Sequence, residues 1–89
     1  MDEELPKAQA AVLLAAARTG TRLLVYEPGA VHCGGELVEP VVEEDMAGLQ
    51  QLGYLRRLEG QRRAYAVTQA GALWGSQRIM NELPGEDEP

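Results

Sequence analysis

Between Val41 and Val67 the apolar residues switch from one repeat to another. Pro40 opens a stretch in which Val42, Met46, Leu49 and Leu52 recur at the three- and four-residue spacing of a helix, and Gly53 marks its stop. From Tyr54 the pattern alternates instead: Tyr54-Leu55-Arg56-Arg57-Leu58, a turn at Glu59-Gly60-Gln61, then Arg62-Arg63-Ala64-Tyr65-Ala66-Val67. That alternation predicts a β-hairpin with a basic tip, in which Leu55, Tyr65 and Val67 share the buried face near the base. Thr68 then stands as the N-cap of a last helix of about fifteen residues, through Ala70, Leu73, Trp74, Met80 and Leu83.

The first half is less regular. Pro6 to Arg18 is rich in alanine and leucine, with proline preset for a first helical turn and Gly20 where the helix would stop. Only Lys7, Gln9 and Arg18 are polar there, so this helix is apolar nearly all round and one neighbour cannot cover it. A second copy of the chain is the expected cover, giving a homodimer through Val12, Leu13 and Leu14 of the first helix with Trp74 and Met80 of the last. Thr21 to Glu27 predicts a short strand ended by the turn pair Pro28-Gly29. Gly35 to Glu39 offers a second strand, with Ala30 to Gly34 as the loop of a loose hairpin.

Size sets the next limit. A chain of 89 residues makes one small domain. Such a domain buries only roughly 60–65% of its unfolded surface, leaving little room for a walled catalytic cleft. The longest apolar run, Ala10 to Ala17, falls far short of the ~20 residues of a bilayer span, so no membrane is expected. Met1-Asp2-Glu3-Glu4 has the wrong charge for a secretory leader, and the lone Cys33 cannot build a disulfide framework; both favour the cytoplasm.

The net charge of -6 is distributed unevenly. Asp2, Glu3, Glu4, Glu82, Glu86, Asp87 and Glu88 supply half of the fourteen acids, so residues 1–4 and 84–89 read as acidic, solvated tails around one domain at 5–83. The body between them is close to neutral, and four of its bases, Arg56, Arg57, Arg62 and Arg63, fall within eight residues.

Leu49-x-x-Leu52-Gly53-Tyr54-Leu55 followed by Tyr65-x-Val67-Thr68-x-x-Gly71 resembles the C-terminal half of winged-helix regulators such as the MarR-like and PadR-like proteins, over residues 41–83. The resemblance implies a reading helix at 41–53, a wing at the hairpin and a final helix in a dimer interface. The chain departs from that pattern earlier. Where those proteins carry a short second helix, this one has Leu23-Leu24-Val25-Tyr26 and a string of prolines and glycines, which predicts strands. The expected architecture is therefore α+β: a small winged-helix-like domain of about three helices, a hairpin wing and an extra N-terminal strand pair.

Two functions follow. In the first, the chain is a transcription regulator binding double-stranded DNA, with Arg56, Arg57, Arg62 and Arg63 on phosphates or in a narrow minor groove, Arg22 or Arg78 in support, and Gln50 and Gln51 as polar readers. Glu43, Glu44 and Asp45 oppose it, since they would face phosphates; their ordinary role is to favour the positive end of a helix dipole. In the second, the same fold is an adaptor that binds protein, with Trp74 as an anchor. An enzyme is not expected. Neighbouring residues of a strand point to opposite faces, which separates His32 from Cys33. No set of ligands has metal-site spacing, and Gly34-Gly35 reads as a turn, so neither metal nor cofactor is expected.

Overall fold

The computed structural model describes residues 5–82 as three helices and five strands. In chain order these are α1 (Lys7–Thr19), β1 (Leu23–Glu27), β2 (Gly29–Cys33), β3 (Glu36–Val41), α2 (Glu43–Gln51), β4 (Leu55–Arg57), β5 (Ala64–Val67) and α3 (Gln69–Glu82). All strand pairs are antiparallel, in the order β3-β2-β1-β5-β4. The fold is α+β, as expected. The expected acidic tails, with Leu83, lie outside the described residues.

The sheet has two distinct faces because side chains alternate along each strand. Leu24, Val31, Cys33, Leu55, Tyr65 and Val67 point into the core with Val12, Leu13, Ala15, Ala16, Val41, Met46 and Leu49. The helices cover that face: α1 packs on β3 and β2, α2 on β4, and α3 on β5 and α1.

Three readings of the first half are corrected. Ala30 to Cys33, expected in a loop, belongs to β2, whose Val31 and Cys33 are fully buried and are held between β1 and β3. The strand pair is thus a three-stranded meander. Pro40 does not open a helix; it lies in β3 at the sheet edge, where its missing N–H breaks no ladder. The helix starts at Glu43, with the Val42 N–H donating to the Asp45 carboxylate at 3.1 Å. Lastly, much of α1 is covered by its own chain, with Ala10, Ala11, Leu14 and Ala17 left half-buried. Val12 and Leu13, expected in a dimer interface, are 0% and 1% exposed within this chain, because α3, α2 and two strands close around the helix. Gln9, its one buried polar residue, donates from Nε2 to the Asp45 carbonyl at 3.1 Å.

The second half follows the reading closely. Gly53 ends α2 with φ +85°, a left-handed conformation that glycine adopts without strain. Thr68 caps α3: its Oγ1 accepts the Gly71 N–H at 3.1 Å and donates to the Gly53 carbonyl at 2.6 Å, while its own N–H donates to Tyr54 O at 3.0 Å. One threonine thus ties the start of α3 to the junction of α2 and β4.

The same approach excludes a side chain at Gly71. A Cβ there would lie 2.3 Å from the Tyr54 carbonyl oxygen, which is backbone and cannot swing away. Gly→Ala inside a helix ordinarily stabilises by ~1 kcal/mol. Here the sign reverses: Gly71→Ala is expected to lower the denaturant unfolding free energy by about 1–3 kcal/mol, as overpacking does. A stabilised variant would show that α3 can move off Tyr54 without loss.

Candidate nucleic-acid interface

Four residues of the hairpin β4–β5 are buried: Leu55, Ala64, Tyr65 and Val67. Leu55 pairs with Val67 and Arg57 with Tyr65, so Leu55, Tyr65 and Val67 anchor its base in the core as expected. Towards the tip the Leu58 N–H donates to Ala64 O at 3.0 Å, and Gly60 turns the chain with φ +80°. Beyond the paired residues of β1 and β5, the Tyr26 N–H donates to Arg63 O at 2.8 Å, fastening the hairpin to the central strand.

Arg56, Arg57, Arg62 and Arg63 are all exposed. Arg57 Nη2 donates to the Arg62 carbonyl at 3.1 Å, which stiffens the tip and still leaves its other donors to solvent. Among the described residues the ion pairs are Arg18 with Glu36 at 2.7 Å and His32 with Glu27, so no carboxylate holds a hairpin arginine, not even Glu59 at the tip. Shallow grooves flank the loop: one of about 450 Å³ runs along residues 57–62, and one of about 480 Å³ lies between Val25, Ala64 and residues 60–63. Both are open troughs rather than walled clefts.

The acids gather elsewhere. Glu36 and Glu39 lie on β3, at the far edge of the sheet from β4, and Glu43, Glu44 and Asp45 lie in the first turn of α2. The sheet is therefore acidic at one edge and basic at the other.

The remaining expected residues are dispersed. Gln50, half-buried, and Gln51, exposed, sit at the end of α2 that leads into the hairpin base, away from its tip. Arg78 lies 4.8 Å from the centre of the Trp74 ring, which in turn packs 6.4 Å from Tyr54; this cation–π contact commits Arg78 to α3. Trp74 and Leu14 are half-buried and Met80 is 66% exposed, so of the expected interface residues only these three retain surface. Arg22 is exposed where β1 begins, its carbonyl accepting the Val67 N–H at 2.9 Å.

His32 and Cys33 point to opposite faces, one exposed and one fully buried. The open sheet face leaves Leu23, Val25 and Leu37 52%, 43% and 48% exposed. Its signal was present in the unbroken run Leu23-Leu24-Val25-Tyr26, which is apolar on both sides of the strand. No helix among the described residues is long and apolar enough to cross a membrane. Comparison with protein-family models, with curated proteins and with solved structures finds no match to the chain.

The Cys33 thiol is pushed from its usual 9.0 up to about 11 by burial, with Glu36 adding to the shift and Arg18 opposing it. The folded state thus holds this proton more tightly than the unfolded chain. Its contribution, on the order of 2 kcal/mol, is complete below the unfolded pKa and is lost as pH rises through the folded value. The native protein at pH 8 is expected to react with an aromatic disulfide reagent only as fast as it unfolds. Stoichiometric labelling within seconds, with the circular dichroism unchanged, would contradict this burial.

Proposed function

We propose that this chain is a DNA-binding module of winged-helix type that engages duplex DNA chiefly through its hairpin, and that it acts as a transcription regulator. The observation that carries the reading is the set of four exposed guanidinium groups on a hairpin anchored in the core, with no carboxylate partner among the described residues. Unpaired arginines on a rigid two-stranded ribbon need no internal contacts broken before they meet phosphates. They suit the strongly negative potential of a narrow minor groove.

In this reading α2 takes the place of the reading helix and contributes less than its counterparts do. Glu43 and Glu44 are exposed in its first turn, and the Asp45 carboxylate is engaged by the Val42 N–H. Carboxylates repel phosphates, so the basic hairpin leads and the acidic edge turns away. A second reading, an adaptor that binds protein, draws on one observation: the interval between α1 and α2 holds three strands and no helix that could cross the DNA backbone.

Fluorescence anisotropy with a random-sequence duplex separates the two. Each phosphate neutralised adds about -0.9 to the slope of log K against log salt, so three or four arginine contacts give a slope of about -3. The double variant Arg62→Glu/Arg63→Glu is expected to abolish binding at low salt while leaving the thermal transition in place. No binding by the unaltered chain at low salt rejects the DNA reading in favour of the adaptor.

A further inference from the structure

The two open troughs beside the hairpin loop share three of their residues, and those three stand between them. Gly60, Gln61 and Arg62 line both troughs. On one side the wall is completed by Arg57 and Glu59, on the other by Val25 and Arg63. Residues 60–62 therefore form a ridge made of a single stretch of backbone, with an arginine of β4 beside one slope and Arg63 beside the other. Gly60 adds no side chain to that ridge and turns it with φ +80°. Gln61 is exposed on it, with its backbone N–H donating to Leu58 O at 3.3 Å. Its side-chain amide, a carrier of two donors and an acceptor, is the neutral hydrogen-bonding group of the ridge.

We infer that Gln61 is the residue through which the hairpin tells base pairs apart, and that it does so on the floor of the minor groove, favouring A·T over G·C. Base reading of this kind presupposes the DNA-binding reading above and adds to it a residue and a preferred sequence class. The major groove, ~12 Å wide, takes a helix or a whole two-stranded ribbon, whereas the minor groove, ~6 Å wide, matches a ridge of one backbone stretch. With the ridge inserted, one sugar-phosphate strand lies along each trough, against Arg57 and Arg62 in the first and against Arg62 and Arg63 in the second.

The groove floor then meets the Gln61 amide. At A·T pairs that floor offers only acceptors, adenine N3 and thymine O2, to which the amide N–H groups donate. At G·C pairs the guanine N2 amino group adds a donor, which faces the donors of Gln61 and Arg62. Glu59 lines one trough only, where its charge repels the phosphate, so it lowers affinity for every duplex and leaves the choice between them alone.

Competition anisotropy at low salt with three duplexes of equal length tests the assignment: alternating A·T, alternating G·C and alternating I·C. Inosine lacks the N2 amino group of guanine, so I·C keeps the major-groove face of G·C and shows the minor-groove face of A·T. The unaltered chain should prefer A·T to G·C by ~tenfold and treat I·C as it treats A·T. Gln61→Ala should bring the three duplexes within about twofold of one another while keeping the salt slope, since no phosphate contact is lost. Glu59→Gln should tighten all three alike. Circular dichroism checks that each variant folds, and Gln61→Met, which keeps the length of the side chain and removes its amide, takes over if Gln61→Ala does not. Equal affinity for the three duplexes, I·C behaving as G·C, or a preference that survives loss of the amide overturns the role of Gln61 and leaves DNA binding standing. No binding to any of the three rejects the DNA-binding reading itself, and base reading with it.

Discussion

The pairing of β1 with β5 holds the molecule together. Leu24, fully buried, sits between Cys33 on one side and Tyr65 on the other, so a single residue of β1 touches both the N-terminal meander and the C-terminal hairpin. Leu24 and Tyr65 stand some forty residues apart in the chain, and bringing them together costs loop entropy that only the completed core repays. Once that pairing exists, the other contacts have fixed places. Thr68 emerges beside Gly53 and Tyr54, α3 leaves the sheet there, and Gly75 brings α3 so close to α1 that a Cβ would lie 2.7 Å from the Leu13 carbonyl. The core forms on one side of the sheet because all three helices connect across that side.

The second half was legible because its signals are local. A change of apolar period, a glycine stop and a threonine cap each act within a few residues, and Gly53, the hairpin and Thr68 all stand where those signals place them. In the first half, tertiary context decides. Ala30 to Cys33 is short and followed by two glycines, so alone it resembles a loop; burial of Val31 and Cys33 between two neighbouring strands makes it β2. Pro40 can open a helix or close an edge strand, and its position at the margin of the sheet selects the second. The all-round apolar character of α1 signalled correctly that several surfaces must cover it. Which surfaces those are depends on long-range packing, and they lie within the same chain.

The candidate interface divides the same way. Alternation alone located the four arginines on a hairpin, and turn chemistry placed their tip. Their freedom from carboxylates owes much to the sheet order, which puts Glu36 and Glu39 on β3, at the opposite edge from β4. Arg78 shows the converse: its sequence position suggests another free cation, whereas the Trp74 ring one turn earlier on α3 holds it.

The two margins of the sheet bear on how far self-recognition can spread. β3 carries a proline that cannot donate a ladder bond, and β4 is three residues long with two arginines. Neither rim is a good template for another strand. Growth by adding strands at either rim into an open-ended fibre is thereby disfavoured.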